Sequence, residues 1–352
     1  MRKSVERLLE HTNYALSPRA VHIDFTWNCN LKCTICARKN AVMENRNLTL
    51  EQFKQLTAHF PRLRRINIVG WGEPLMNPEF LDIMSFAAAK GVSAVFTTNG
   101  MLLSEDMITK LPRNISSVFF SIDSPKPDIY QQLRPGARFE KVKAHILKLR
   151  SLRPDINAVI QMVLLKENVR DVGRLVAFAS EVGAHSIHLI NLAAFTQEDD
   201  KRHLHFIEDD ISGLLKSAHE EAARQKVKLY SPPLKPQSRP CKLPWTEPYI
   251  TLDGVIYPCG FSYRGFGVVG EWYAGIPLEF PVGQFQLGNI YQDSFDKIWN
   301  GKGFRLLRST LRSCSTDAET SVKDMAEMRK NADILPRFSY CRICLWRWNC
   351  AC

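Results

Sequence analysis

Apolar positions along this chain recur in two rhythms. Six short runs, VHIDFTW (21–27), RINIVGW (65–71), AVFTTNG (94–100), SVFFSID (117–123), AVIQMVLL (158–165) and SIHLINLA (186–193), are rich in β-branched and aromatic residues and are of strand length. Between them lie TLEQFKQLTAHF, PEFLDIMSFAAAKG, EDMITKLP, FEKVKAHILKLRS and VRDVGRLVAFASEVGA, which read as helices, several ending at Gly. Strand and helix alternating in this way imply parallel strands joined by crossover helices. The count and length predict an α/β fold, an incomplete (β/α)6 barrel of the TIM type. In such a barrel the active site sits at the carboxyl ends of the strands.

After about residue 205 the rhythm changes. IEDDISGLLKSAHEEAARQKVKL (207–229) reads as one polar helix, and SPPLKPQSRP (231–240) as a Pro-rich linker. YITLDGVIYPCG places two short β runs on either side of Asp253-Gly254, a strong hairpin signal. A further helix is expected over 293–312 and an irregular polar stretch over 313–338. The expected organisation is a barrel over 1–205, a linker helix and Pro-rich linker over 206–236, and a small α+β domain over 237–352. No internal repeat or low-complexity tract interrupts it.

Composition narrows the class. Of the 352 residues, 45% are hydrophobic and 24% charged, an ordinary globular profile. No apolar run approaches the roughly 18 residues needed to span a membrane. The opening MRKSVERLLEHTNYALSPRA reads as a short amphipathic helix without the apolar core of a signal peptide. A cytoplasmic location follows as the expectation, and there ten cysteines favour metal ligation over a disulfide framework. The formal net charge of +11 reads either as a solvated basic surface or as complementarity to an acidic partner carrying phosphate or carboxylate. Thiolates bound to iron would offset part of it. With no recognisable RNA-binding motif and no long Lys/Arg run, nucleic acid is not an expected partner.

The densest chemistry is WNCNLKCTICARKN, which follows the first predicted strand. Cys29, Cys33 and Cys36 stand there at the spacing C-x3-C-x2-C. A closed structural zinc site takes four ligands and a disulfide takes two, whereas three thiolates suit a metal centre that keeps one position open. Pairing Cys33/Cys36 with Cys341/Cys344 as two zinc knuckles would leave Cys29 idle.

This motif, on the first loop of a (β/α)6 barrel, resembles the signature of the radical S-adenosylmethionine (SAM) superfamily. The resemblance implies a [4Fe–4S] cluster held by three cysteines, with the fourth iron binding the amino and carboxylate groups of SAM. Further markers agree. GWGEP (Gly70, Trp71, Gly72, Glu73, Pro74) is similar to the family's GGEP loop, whose backbone receives the SAM amino group, with Trp71 standing where Gly is usual. TTNG brings Asn99 to the end of the third strand, to line the site or cap a turn. FSIDS places Ser121 and Asp123 on one face, within reach of ribose hydroxyls. Arg134 in LRPG stands where related enzymes meet the SAM carboxylate, or is a surface residue. Gln161 reaches the SAM ribose or is a core amide.

The second cysteine set resembles the SPASM domain and its one-cluster variant, the twitch domain. DGVIYPC, LGNIYQDSFDKIWN and CRIC carry the likeness. It implies an auxiliary [4Fe–4S] cluster held by Cys241, Cys259, Cys341 and Cys344, or two clusters that also use Cys350 and Cys352. Left over, Cys314, Cys350 and Cys352 are idle thiols or hydrogen donors to a substrate radical, the latter marking an epimerase. Phe261, Tyr263 and Phe266 roof the substrate or fill the small domain's core.

The reaction these likenesses imply begins with one electron passed to SAM by a flavodoxin- or ferredoxin-type reductant. SAM splits to methionine and a 5′-deoxyadenosyl radical, and the radical takes a hydrogen atom from substrate. The first strand begins near residue 21, leaving no room ahead of it for a separate leader-binding domain. A small polar metabolite of sugar or aminosugar type is therefore the expected substrate, with a peptide as the alternative. A ferredoxin-like electron carrier and an RNA-modifying enzyme are the other rivals.

Overall fold

The structure, a computed structural model, describes residues 12–40, 44–204, 211–232, 241–263, 270–273, 276–279 and 285–312. Seven strands, β1 (Ala20–Ile23), β2 (Arg65–Ile68), β3 (Ser93–Thr98), β4 (Ile115–Ser121), β5 (Asn157–Leu164), β6 (Ser186–Asn191) and β7 (Lys228–Tyr230), lie side by side in chain order, all parallel. Between them run helices α1 (Leu50–Ala58), α2 (Phe80–Ala89), α3 (Glu105–Lys110), α4 (Pro127–Leu133), α5 (Phe139–Leu152), α6 (Val172–Glu181), α7 (Gln197–Asp200) and α8 (Ile211–Arg224). Strictly sequential order is that of a barrel wall, whereas a doubly wound sheet reverses at a switch point.

Local chemistry places these elements. Thr49 and Gln52 form a capping box at the start of α1, and Ser104 caps α3. Alternation along each strand then sorts side chains to two faces. The outward face packs under the helices, as Phe96 does on Phe80 of α2 with rings 5.3 Å apart. The inward face is largely polar and half-buried. Strand register aligns Thr97, Phe119, Val159, Ser186 and Lys228 in one row, and Ser121, Gln161, His188 and Tyr230 in the next. A closed barrel fills its interior with layers of branched aliphatic side chains. This wall instead curves around a polar trough.

The second region continues the same sheet. After α9 (Leu243–Thr246), strand β8 (Tyr249–Ile250) pairs parallel with β1, and β9 (Val255–Tyr257) folds back on β8. Strands β10 (Gly270–Tyr273) and β11 (Ile276–Glu279) form a separate hairpin, and β12 (Gly288–Asn289) pairs with β9. The sheet therefore has ten strands, in the order β12-β9-β8-β1-β2-β3-β4-β5-β6-β7. Glu247, just before β8, locks the junction from the inward face. Its carboxylate accepts from Asn67 at 3.1 Å and Arg65 at 2.9 Å and meets His22 Nε2 at 3.0 Å.

Some expectations change. Within the segment read as one helix over 207–229, the described residues are helical over Ile211–Arg224, and Lys228–Tyr230 becomes β7 because its backbone completes the ladder on β6. The helix expected over 293–312 is two, α10 (Phe295–Trp299) and α11 (Lys302–Arg312). They part at Asn300-Gly301, where Asn300 turns aside to bond the backbone of Ala15 in both directions. The barrel strands stop short of their predicted carboxyl ends, β1 at Ile23 rather than Trp27, because Asp24 and the following residues serve the mouth. The expected amino-terminal helix and the stretch 313–338 fall mainly or wholly outside the described residues, as do the expected boundaries near 205 and 236.

The predicted hairpin turn is present. Gly254 has φ +75°, and a Cβ there would stand 2.5 Å from the Tyr291 ring. Gly254→Ala should lower the unfolding free energy by roughly 1–3 kcal/mol through left-handed backbone strain and overpacking. Chemical denaturation checks this, and an unchanged midpoint would contradict the turn as described.

Candidate functional site

The first loop leaves β1 and lies across the mouth of the trough. Its backbone is pinned to the segment after α4, with Thr34 N–H donating to Leu133 O at 2.9 Å and Lys32 N–H to Pro135 O at 3.4 Å. Cys29, Cys33 and Cys36 are all free and half-buried there. Burial raises the Cys29 thiol and pushes Cys33 up to about 11. Among the described residues no three His, Cys, Asp or Glu side chains converge as a single ion would require. A cubane makes no such demand, since each thiolate binds a different iron.

Polar groups from three other strands gather on this loop. The Asn99 amide lies 4.0 Å from Cys29 Sγ and donates to Asn30 Oδ1 at 2.8 Å. Arg134 Nη1 lies 3.6 Å from Cys33 Sγ, and Arg134 Nε meets Asp123 Oδ2 at 2.7 Å. That last contact is ionic and off the N–H axis, so both atoms are buried without a hydrogen-bond partner. Asp123 is held from its other oxygen by Val163 N–H at 3.0 Å. Ser121 and Gln161 are register partners on β4 and β5, both half-buried on the inward face.

Two buried carboxylates organise the mouth. Glu73 N–H donates to Asn28 O at 2.8 Å, while its carboxylate accepts from Thr98 Oγ1 at 2.7 Å and Asn99 N–H at 2.8 Å. The Glu73 side chain is therefore spent on protein, and its burial pushes its pKa up to about 7. Pro74 is buried beside it, and a Cβ on Gly72 would stand 2.3 Å from Thr26 O, so only Gly lets the two loops touch. Asp24, unforeseen in the sequence, accepts from Tyr249 OH at 2.5 Å, from Trp27 Nε1 at 3.3 Å and from the Trp71 backbone N–H. Gly70 makes room for it, since a Cβ there would stand 1.9 Å from Asp24 Oδ1. A charged residue on the inward face of a buried strand was the available signal for Asp24.

Trp71 bridges the mouth, its ring 6.3 Å from Phe195 and 5.9 Å from Tyr263. Tyr263 stacks in turn on Tyr249 at 5.3 Å. Cys241 and Cys259 are half-buried in the second region. Cys314, Cys341, Cys344, Cys350 and Cys352 lie outside the described residues.

An α/β barrel with three thiols at its mouth, joined to a second cysteine-bearing region, has the donor set of a cluster-binding protein. Comparison with known proteins makes the class specific. The family model for the radical SAM superfamily matches residues 23–179, and that for the SPASM iron–sulfur cluster-binding domain matches 241–345. The chain thus carries a radical SAM domain followed by a SPASM domain. It is 24% identical over 347 residues to the tungsten-containing aldehyde ferredoxin oxidoreductase cofactor-modifying protein of Pyrococcus furiosus, covering 93% of this chain and 94% of that one. It is 25% identical over 307 residues to the AdoMet-dependent heme synthase of Methanosarcina barkeri, covering 83% and 85%. Among solved structures, SuiB of Streptococcus suis bound to SAM superposes with a TM-score of 0.67 at 17% identity, over 90% of this chain and 73% of that one. SuiB also superposes in its complex with the precursor peptide SuiA.

These domains bring a SAM-binding [4Fe–4S] cluster, SAM and auxiliary cluster chemistry. The residues at the mouth fit that cargo: three free thiols, with the Arg134 guanidinium 3.6 Å from Cys33 Sγ beside them. Among the described residues no helix is long and apolar enough to cross a membrane.

Asp24 gives a pH test. Its carboxyl is raised from 3.8 to about 7, chiefly by desolvation. The folded chain therefore holds this proton more tightly, and the stability so gained is full below pH 3.8 and lost as pH rises toward 7. In Asp24→Asn this loss is absent. Between pH 5.5 and 7 wild type should lose roughly 2 kcal/mol relative to the variant, at about 1.4 kcal/mol per pH unit. Denaturant titrations across that range check it, and a constant difference would refute the raised carboxyl.

Proposed function

We propose that this enzyme cleaves SAM at a [4Fe–4S] cluster held by Cys29, Cys33 and Cys36. It then removes a hydrogen atom from a small polar substrate, in a two-electron oxidation assisted by an auxiliary cluster. The observation that carries the reading is the meeting of those thiols with Arg134, Asp123 and Asn99 at the mouth. When bound, the cluster and SAM supply a 5′-deoxyadenosyl radical, the group that performs the abstraction.

The chain's residues bind and orient. Arg134, its Nε paired with Asp123, turns its guanidinium toward the thiol loop and the SAM carboxylate. Its charge also favours the thiolate of Cys33. Asn99 steadies the first loop from β3 through Asn30. Ser121 and Gln161 present a hydroxyl and an amide side by side to the ribose. The backbone from Gly70 to Pro74 faces the SAM amino group, with Glu73 holding that loop to its neighbours. Cys241 and Cys259, with Cys341 and Cys344, are assigned to the auxiliary cluster, and a small electron-carrier protein is the expected reductant.

The substrate reading leans on the trough. Beyond Gln161 the same row continues through His188 and Tyr230, hydrogen-bonding groups suited to a sugar or aminosugar or to a similarly polar metabolite. Two relatives that match over most of their length are named for a cofactor modification and for heme synthesis. A peptide substrate is the second reading, favoured by the likeness to SuiB with its precursor peptide.

After anaerobic reconstitution and dithionite reduction the protein should form 5′-deoxyadenosine from SAM. Cys29→Ala, Cys33→Ala and Cys36→Ala should each bring this to background, because each removes an iron ligand. Undiminished cleavage in any one would sink the assignment. A variant lacking all three thiols should keep about four irons, as a second cubane with four cysteine ligands does. An iron-free triple variant would remove the auxiliary site from the reading. Mass spectrometry after incubation with candidate sugars and candidate peptides separates the two substrate classes.

A further inference from the structure

The carboxyl ends of the strands carry the thiols, and the amino ends carry a different chemistry. Arg19 precedes β1, and Arg62, Arg64 and Arg65 stand in PRLRRIN at the start of β2. With Ser17, Pro18 and Trp245 they line a cavity of about 310 Å³. Glu247 is the acidic residue in its wall, and it is already shared among His22, Asn67 and Arg65. Arg19 and Arg64 are exposed. Ser17 Oγ is buried and has no hydrogen-bond partner.

We propose that this arginine-lined surface docks a small acidic electron-carrier protein. Three observations favour a protein over a free anion or nucleic acid. First, the surroundings are apolar as well as basic: Tyr14 is 49% and Leu16 37% exposed, and Arg305 stacks over Tyr14 at 5.5 Å. Arginine beside exposed aromatic and aliphatic side chains is the composition of a protein interface. Second, the cavity of about 310 Å³ has room for a projecting carboxylate side chain among its arginines. Third, Cys241 precedes Trp245 by four residues, so the surface adjoins the iron–sulfur domain rather than the SAM-binding mouth. The overall charge of +11 complements an acidic carrier at longer range.

The inference rests on the SAM-cleaving reading, which draws an electron from outside the protein. On docking, the carrier is oxidised by one electron and the protein's iron–sulfur centres are reduced by one, with no bond made or broken. Charged residues at the rim of such a contact govern association and its salt dependence.

The probe is a flavodoxin, oxidised for calorimetric binding to the reconstituted protein and reduced for turnover. Arg19→Glu combined with Arg64→Glu should weaken binding by roughly tenfold or more at about 50 mM salt, and salt should weaken wild-type binding in the same sense. Arg19→Lys with Arg64→Lys should keep most of the affinity, and all variants should keep the wild-type melting temperature. Flavodoxin-driven 5′-deoxyadenosine formation should fall in the charge-reversed protein, while the dithionite-driven rate stays at the wild-type level. An unchanged dissociation constant on charge reversal would overturn the proposal, as would inorganic phosphate holding the cavity against flavodoxin. Failure of the wild type to cleave SAM with dithionite would overturn the SAM reading instead and leave the binding result to stand on its own.

Discussion

The mouth of this barrel depends on a buried carboxylate held by hydrogen bonds from a neighbouring strand end. Glu73 is buried, and its charge is met by a hydroxyl and an amide N–H from the end of β3 while its own backbone N–H grips the first loop. Burying such a group is costly, which its raised pKa expresses. The cost is offset only while all its donors stay in place. Three separate loops are thereby held to one arrangement, and the thiols of Cys29, Cys33 and Cys36 inherit it. Asp24 repeats the device one strand away, with Tyr249 of the second domain among its donors.

That second knot bears on how the two domains work together. The edge of β1 would otherwise offer an unpaired ladder, an invitation to aggregation. Here β8 takes it, and the SPASM domain becomes a continuation of the barrel sheet. The Glu247 network closes the same seam at the amino ends of the strands, while Trp71, Tyr263 and Tyr249 close it at the carboxyl ends. The region carrying Cys241 and Cys259 is thus held to the SAM-binding barrel at both ends of one shared sheet.

Residues named from the motifs came together unevenly. Asn99 and Arg134 stand against cysteine sulfurs, and Ser121 and Gln161 share one row of the inward face. Glu73 and Asp123 were read as cofactor contacts, and the structure shows their side chains held by protein groups. A carboxylate in a motif can face a ligand or brace the loop that does, and the sequence is the same in either case. Asp24, His22 and Glu247 carried no motif. They draw their importance from partners 225 residues away in the chain for Asp24–Tyr249 and for His22–Glu247.

The sequence by itself determined the alternation of strand and helix, the parallel barrel that follows from it, the hairpin at Asp253-Gly254 and the spacing of the three thiols. Those features are local: each depends on residues within a few turns or one strand of one another, and hydrophobic period, turn chemistry and motif spacing record them directly. Only the tertiary structure decided that Lys228–Tyr230 would become a strand, that β8 would join β1, and that the basic run PRLRRIN would meet Trp245 at one cavity. Each of those outcomes rests on an edge, a seam or a charge supplied by a distant segment. A short stretch of chain has no way to encode the partner that its unpaired backbone or buried carboxylate will find, because that partner exists only once the sheet has formed.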